Sequence, residues 1–282
     1  MPSLAIGDMR IGYQHVLAMV RGRGVQTTPR GLGTRQLTGF HIKLWNPDDS
    51  LPLACGRKLN PSIAAVEAAQ LIAGETWPEL VVAIAPAFKE FMDGPEFHGA
   101  YGVRIGKQYE YVVTELRQDL DSRRAQITLW NPEKDNTTGF HDYPCTTSLQ
   151  FIRQNGKLEC HAHMRSNDVW RGFAYDVFQF TQLQYSIANA IGLAVGPYHH
   201  YAVSMHLYDN DLDAIDQCLE TSVGDKPEQP LPHGLTREEA RTLLWYAWQP
   251  DKLYQGAQPV LPYTPGLAWY EERLARRSTQ QV

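Results

Sequence analysis

Cys55, Cys145, Cys160 and Cys218 are the four cysteines of a chain of 282 residues. No two are spaced as Cys-x-x-Cys, so the sequence offers no cysteine-built zinc site, and free thiols are expected. Any one of them could be a nucleophile. Two carboxylates occupy positions where helical periodicity asks for an apolar side chain. Glu67 lies four residues from both Ile63 and Leu71, in a stripe that also holds Val66 and Gln70. Asp176 lies three residues after Phe173 and four before Phe180, beside Val177, Gln184, Ile187 and Ile191. A buried, unpaired carboxylate is costly or shifts its pKa, so each acid has either an ion-pair partner or a proton-transfer task.

Arginines form a third group. Asp121-Ser122-Arg123-Arg124 leads into an apolar run, Met164-Arg165-Ser166-Asn167-Asp168 closes another, and Arg30 sits in Arg30-Gly31-Leu32-Gly33. Guanidinium groups at strand ends, in a chain of negative net charge, suit a fixed dianion such as a phosphate, although solvation explains any one alone. Between Tyr198 and Tyr208 the residues alternate. Tyr201, Val203, Met205 and Leu207 form an apolar row, and Ala202, Ser204, His206 and Tyr208 the opposite one. His161, His163, His199 and His200 raise a metal-dependent hydrolase as a rival reading. His161 and His163 share a strand face, but no further His or carboxylate sits at a supporting spacing, so no metal is expected.

These groups need elements to position them. Asn60-Pro61 reads as an N-cap followed by proline at the first helical position, opening a helix that Gly74 closes. A long helix is expected from Phe173 to Ile191, with Gly192 as its left-handed cap, and Lys107 to Leu120 also has helical spacing. Ala125 to Trp130 reads as a strand. Thr146 to Gln154 and Lys157 to Arg165 read as strands joined by Asn155-Gly156, the pair favoured in a type I′ hairpin turn. Thr236-x-x-Glu239 is a capping box opening an aromatic helix that holds Trp245 and Trp248. Strands and helices mix without a regular βαβ rhythm, so an α/β (α+β) fold is expected rather than a doubly wound one.

Apolar residues at 43% and charged residues at 20% exclude intrinsic disorder. No apolar run reaches the roughly 18–20 residues of a membrane span, and Met1 to Arg10 shows no secretion signal, so a cytoplasmic chain without a membrane partner is expected. A net charge of −5 argues against a general nucleic-acid binder. No repeat or linker divides the chain. The proline-rich stretch Pro227 to Pro232 sets off an appendage, giving a single domain over 1–282 with an extension at 222–282.

Pro144-Cys145-Thr146-Thr147, Leu149-Gln150-Phe151, Met164-Arg165-Ser166-Asn167-Asp168-Val169, Gly172, Asp176 and His206-Leu207-Tyr208 together resemble the thymidylate synthase superfamily. The likeness is greatest to its deoxycytidylate hydroxymethylase branch. The blocks run in order from Arg30 through Glu67, Tyr101-Gly102 and Asp121-Ser122-Arg123-Arg124 to Tyr208, roughly two thirds of the chain. The resemblance implies a large mixed twisted β-sheet packed with helices, and a homodimer joined sheet to sheet. It implies that Cys145 adds to C6 of a pyrimidine nucleoside monophosphate, its thiolate favoured by nearby arginines. Arg30, Arg165 and Ser166 would hold the 5′-phosphate, with Arg123 and Arg124 reaching it from the other subunit. His206 and Tyr208 would bond the sugar hydroxyl, and Glu67 would organise proton transfer. Asp168 would meet the pterin of 5,10-methylenetetrahydrofolate, with Tyr101 and Gly172 beside it.

Asp176 bears on the base. The resemblance puts Asn here in enzymes acting on uracil, whereas a carboxyl can accept from cytosine N4 and share a proton with N3. A cytidine monophosphate is therefore expected, dCMP first and CMP second. Three departures from the methyl-forming pattern favour attack by water over hydride transfer. No Trp lies between Phe88 and Phe97, the chain ends Arg277-Ser278-Thr279-Gln280-Gln281-Val282 without a small apolar tail, and Thr146 follows the nucleophile where His is usual. The expected products are the 5-hydroxymethyl nucleotide and tetrahydrofolate. The alternatives are a cytidylate methylase, a thymidylate synthase-like dUMP enzyme, and a nucleotide- or RNA-binding regulator without chemistry.

Overall fold

The computed structural model describes residues 2–225, 234–248 and 265–275. Its strands are β1 (Ser3–Ile6), β2 (Val25–Thr27), β3 (Thr34–Leu44), β4 (Gln126–Thr128), β5 (Thr146–Gln154), β6 (Lys157–Met164), β7 (Asn167–Asp168) and β8 (Ala194–Tyr208). The helices are α1 (Met9–Arg23), α2 (Pro61–Ala73), α3 (Pro78–Ile84), α4 (Tyr101–Ile105), α5 (Gln108–Gln118), α6 (Pro132–Asp135), α7 (Phe173–Ile191), α8 (Leu212–Glu220), α9 (Arg237–Trp248) and α10 (Pro265–Ala275).

The strands form one mixed sheet in the order β1-β3-β8-β6-β5-β4, with β2 added to β3 and β7 to β8. Strand β8 runs antiparallel to β3 and parallel to both β6 and β7. It pairs with β6 as far as Ala202 and with β7 at Met205 and His206, so the break between β6 and β7 leaves Arg165 and Ser166 at a gap in the ladder. Helix α7 packs on β6 and β8, and α2 packs on α7. The core between them is Phe173, Val177, Phe180, Ala64, Ala68 and their neighbours, all buried.

Local signals explain the ends of these elements. The Asn60 side chain accepts from the Ser62 amide, Pro61 opens α2, and Gly74 closes it at φ 72°. Gly192 closes α7 at φ 73°. Asn155 and Gly156, at φ 51° and 75°, make the hairpin turn between β5 and β6. The expected strand from Ala125 shortens to β4, because the amides of Leu129 and Trp130 both turn to the Thr147 carbonyl. Strand β8 starts four residues earlier than expected. A register shift at Leu158–Cys160 lets Pro197, which has no N–H to give, lie within it.

The apolar row of β8 is not a uniform core face. Met205 and Leu207 are buried, but Val203 is 66% exposed, and Tyr201 stacks on His41 and His163 from the flanking strands. The capping box forms as expected, with the Thr236 amide and hydroxyl donating to Glu239. Helices α9 and α10 cover α2: Arg237 Nε donates to the Ala73 carbonyl at 3.0 Å, and Ser62 Oγ to the Arg273 carbonyl at 2.8 Å. Pro227 to Pro232 and the last seven residues lie outside the described residues. Among the described residues no helix is long and apolar enough to cross a membrane.

Candidate active site

A cleft of about 1160 Å³ opens over the ends of β5, β6 and β8 and the start of α7. Its wall contains Arg30, Glu67, Tyr101, Cys145, Arg165, Ser166, Asp168, Gly172, Asp176, His206 and Tyr208. Of the site residues that the resemblance assigns, Arg123 and Arg124 stay outside it.

Cys145 immediately precedes β5, beside a register shift between Thr146 and Ser148. The Arg165 amide donates to the Cys145 carbonyl at 2.9 Å. The Arg165 guanidinium donates to the carbonyls of Pro144 and Tyr143 at 3.0 and 3.2 Å, and its Nη2 lies 3.8 Å from Cys145 Sγ. It thus clamps the loop and stands beside the sulfur. Thr146 holds the other side, its amide and hydroxyl donating to Tyr101 Oη at 3.2 and 3.0 Å. Burial pushes the Cys145 thiol up to about 11, and Arg165 offsets only part of this. Arg165 does favour the thiolate, as the resemblance implies, but in the resting site burial outweighs it.

At the other end of the cleft Arg30 occupies the turn Pro29–Gly31 at φ 54°, a left-handed conformation that costs on the order of 1 kcal/mol or more for a non-glycine residue. Its Nη2 donates to Tyr208 Oη at 3.3 Å. Ser166 Oγ lies 3.4 Å from His206 Nδ1, and the rings of His206 and Tyr208 meet edge to face, 5.3 Å apart. Burial pulls the His206 pKa down, and the charges of Arg165 and Arg30 pull it further. The charges of two guanidiniums, Arg30 and Arg165, therefore both reach the His206 ring, where an anion would be met.

The acids occupy the deep wall. Asp176 lies on the first turn of α7, where Oδ2 accepts from Asn167 Nδ2 at 2.6 Å and Oδ1 from Gln179 Nε2 at 3.0 Å. Behind Asn167, His200 Nε2 donates to its Oδ1 at 3.0 Å, and Tyr198 Oη donates to His200 Nδ1 at 2.9 Å. Burial nevertheless pushes Asp176 up to about 7. Burial, then repulsion from Asp176, pushes Glu67 up to about 8, and Glu67 Oε2 is buried without a hydrogen-bond partner. No cation appears among the groups that shift either acid, so the ion-pair option fails; Glu67 holds its proton near neutral pH and Asp176 is poised to gain or lose one there. Asn167, Gln179, Tyr198 and His200 were not legible as a relay. His200, weighed as a metal ligand, faces the cleft side and has both ring nitrogens engaged.

Asp168 Oδ1 accepts from the amides of Trp170 and Arg171 at 2.8 and 3.0 Å, while Oδ2 makes no hydrogen bond and burial raises the carboxyl to about 6. An apolar recess of about 280 Å³ adjoins Glu67 and Asp176 and is walled by Phe88, Phe91 and Phe97. The wall is not free of tryptophan, because Trp130 reaches the cleft from another segment and lies 5.5 Å from the Arg165 guanidinium. Arg124 is exposed and bound to Glu115 at 2.8 Å, and Arg123 is exposed beside β4. On the reverse face of the sheet a carboxylate joins two of the histidines: Glu159 Oε2 lies 3.5 Å from His161 Nε2 and 3.3 Å from His199 Nε2.

The thymidylate synthase family profile matches residues 12–242. The chain belongs to the thymidylate synthase family. It is also similar to a deoxyuridylate hydroxymethyltransferase of Bacillus phage SP01, 28% identical over 220 residues. That match covers 72% of this chain and 57% of the relative's length.

Proposed function

We propose that this chain hydroxymethylates C5 of a pyrimidine nucleoside 5′-monophosphate, with 5,10-methylenetetrahydrofolate as one-carbon donor and water as the source of the hydroxyl. One observation carries the reading: a buried thiol, Cys145, shares a cleft with two carboxyls whose proton affinity burial raises, Glu67 and Asp176, and with the guanidiniums of Arg30 and Arg165.

The residues present suit the folate. Glu67 Oε2 and Asp168 Oδ2 are buried oxygens without hydrogen bonds, as donors of a pterin require, and Phe88, Phe91 and Phe97 offer a flat apolar wall. When bound, methylenetetrahydrofolate supplies a one-carbon unit at the oxidation level of formaldehyde. The protein does the rest. Arg30 and Arg165 bind the phosphate dianion, with Ser166, His206 and Tyr208 around the sugar. Cys145 loses its proton as it adds to pyrimidine C6, beside Arg165, and this makes C5 nucleophilic. Glu67 holds a proton at neutral pH and can pass it to and from the base or a water. In sum, C5–H, the one-carbon unit and water give C5–CH2OH and tetrahydrofolate.

Cytosine is the first reading for the base. A protonated Asp176 donates to N3 and accepts from the N4 amine, and N3 of cytosine is a more basic acceptor than O4 of uracil. The same carboxyl can also donate to O4 and accept from N3–H, so the carboxyl alone does not exclude uracil. A uracil nucleotide is the second reading, favoured by the relative named for deoxyuridylate. That relative's name also supports water over hydride. Arg123 and Arg124, exposed at the sheet edge and outside their own cleft, suit donation to a second copy in a sheet-to-sheet homodimer.

The test is incubation with methylenetetrahydrofolate and, separately, dCMP, CMP and dUMP, with products weighed by mass spectrometry. A gain of CH2O on a cytosine nucleotide is expected. A gain of CH2 with dihydrofolate formed would replace the reading with a methylase, and turnover of dUMP alone would move it to uracil.

A further inference from the structure

The hydrogen bonds behind Asp176 form a chain with a direction. Tyr198 and His200 project from the cleft side of β8, two residues apart, and both are fully buried. Tyr198 Oη lies 2.9 Å from His200 Nδ1, His200 Nε2 lies 3.0 Å from Asn167 Oδ1, and Asn167 Nδ2 lies 2.6 Å from Asp176 Oδ2. Phe173 packs edge to face against the His200 ring, with centroids 5.1 Å apart. The imidazole is thus held at both nitrogens and by its ring. Asp176, 8% exposed, is the end of the chain that meets the cleft.

Protons fix the direction. A tyrosine hydroxyl has one proton to give, and among the described residues His200 Nδ1 is the acceptor within its reach. A buried donor without an acceptor is costly, so Nδ1 takes that bond. A neutral imidazole has one donor and one acceptor, and burial holds His200 neutral, down to about 3. Its own proton is then on Nε2 and goes to Asn167 Oδ1, which turns Asn167 Nδ2 toward Asp176. Gln179 Nε2 meets the other carboxyl oxygen at 3.0 Å. Both oxygens therefore accept from an amide of the protein, and a proton on Asp176 is left pointing to the cleft. With the Asn167 amide reversed, Oδ1 would face Asp176 Oδ2 across the same 2.6 Å and draw that proton away from the cleft.

We infer that Tyr198 and His200 are positioning residues for pyrimidine binding: through Asn167 they hold the Asp176 proton on the side of the base. This role rests on the reading that Asp176 meets the base, and it holds for cytosine and uracil alike, since each asks one donor and one acceptor of that carboxyl. Ionised Asp176 offers acceptors only. Nucleotide affinity should therefore fall as pH rises through the Asp176 range, near 7. Glu67 on α2, Tyr101 on α4, the Cys145 thiol before β5 and Asp168 on β7 also face this carboxyl, and Glu67 and Asp168 titrate near the same window. The limb is thus assigned by its loss in Asp176→Asn. The rival arrangement is structural: Tyr198 and His200 only fill the core, and Asn167 keeps its orientation without them.

The test is calorimetric titration of the full chain with dCMP and with dUMP, from about pH 5.5 to about pH 9 and without folate, so that no turnover is needed. The wild-type chain should lose affinity for the nucleotide it binds above about pH 7, and Asp176→Asn should abolish that limb. His200→Phe should weaken binding by about 10–100-fold and move the limb to higher pH, because the ionised carboxylate loses the Asn167 hydrogen bond that favours it. Tyr198→Phe, which keeps the ring in place, should act in the same direction by about 3–10-fold. His200→Gln again offers an acceptor to Tyr198 and a donor to Asn167, and should return affinity and limb close to wild type. Circular dichroism confirms that each variant is folded. Wild-type affinity and limb in both phenylalanine variants, or affinity lost equally in His200→Phe and His200→Gln with an unmoved limb, would overturn the role and leave the two rings as core filling. A limb that survives in Asp176→Asn would remove the reading that Asp176 meets the base, and the role with it.

Discussion

His199 and His200 are consecutive residues of β8 that face opposite sides of one sheet, and burial pulls both imidazoles down to about 3. Their surroundings differ in what is left over. His200 gives a hydrogen bond to Asn167 and takes one from Tyr198, and Asn167 passes the order on to Asp176. On the reverse side His199 engages only Nδ1, and its other nitrogen confronts Glu159 without a hydrogen bond. The cleft side is a closed network with its open atoms, Glu67 Oε2 and Asp168 Oδ2, at the cavity wall. Unsatisfied buried polar atoms are rare in folded chains, so where they gather they point to a group that binds there.

The comparison breaks most sharply at Cys145. Cys145→Ala is expected to lower kcat by on the order of 10³ or more, since the covalent step has no substitute. Nucleotide binding, measured by calorimetry, should persist, because Arg30 and Arg165 remain. His163→Ala on the reverse face removes no group of the cleft and should lower kcat far less. Substantial turnover by the alanine variant would remove Cys145 as nucleophile.

Asp176→Asn tests the closed network itself. Both Asp176 oxygens accept from amides, Asn167 Nδ2 and Gln179 Nε2. An Asn in its place must turn its own amide nitrogen toward one of those donors or force a neighbour to flip. One mispaired buried polar group costs about 1–3 kcal/mol, so the ratio of kcat/KM for cytosine over uracil nucleotides should fall by about 10–100-fold. An unchanged ratio would assign base choice to other residues.

Glu67→Gln reads the cost of keeping an acid in that wall. The Glu67 carboxyl, at about 8 in the folded chain, binds its proton more tightly there than in the unfolded chain, where about 4.3 is usual. The folded state is therefore favoured most at low pH. It loses stability as pH rises from about 4.3 through 8, by up to a few kcal/mol. Urea unfolding of wild type and Glu67→Gln should show a gap in favour of Gln that widens across that window and is flat above it. Parallel curves would mean that Glu67 does not hold its proton when folded.

Much of this was legible in residue order. Asn60-Pro61, Gly74, Gly192 and Asn155-Gly156 fixed helix and hairpin ends because capping and left-handed turns are local chemistry. Glu67 and Asp176 stood out because periodicity sets the burial of a helical position. The thiol state of Cys145 was not legible, since it depends on desolvation by residues distant in sequence winning over Arg165. Nor was the Glu159–His161–His199 cluster, because Glu159 and His161 meet His199 only through the pairing of β6 with β8. Trp130 escaped for the same reason, entering the wall from a segment that the chain order sets far from Phe88.

Gly172 gives the finest test of the cleft side. Its backbone, at φ −101° and ψ −44°, is open to any residue, so conformation does not demand glycine there. Room does: a Cβ at this position would lie 3.2 Å from Asp176 Oδ2 and 3.5 Å from Asn167 Nδ2. Gly172→Ala therefore separates two quantities that usually move together. Reduced freedom of the unfolded chain should hold the variant's stability within about 1 kcal/mol of wild type, on either side. The added methyl should displace the Asp176 carboxyl by a few tenths of an ångström and lower kcat/KM by roughly 3–10-fold, a fraction of the loss that a full ångström of misplacement brings. Thermal unfolding beside steady-state kinetics checks both. Equal activity at equal stability would mean that the Asp176 network yields to the methyl and is not the rigid partner of the base.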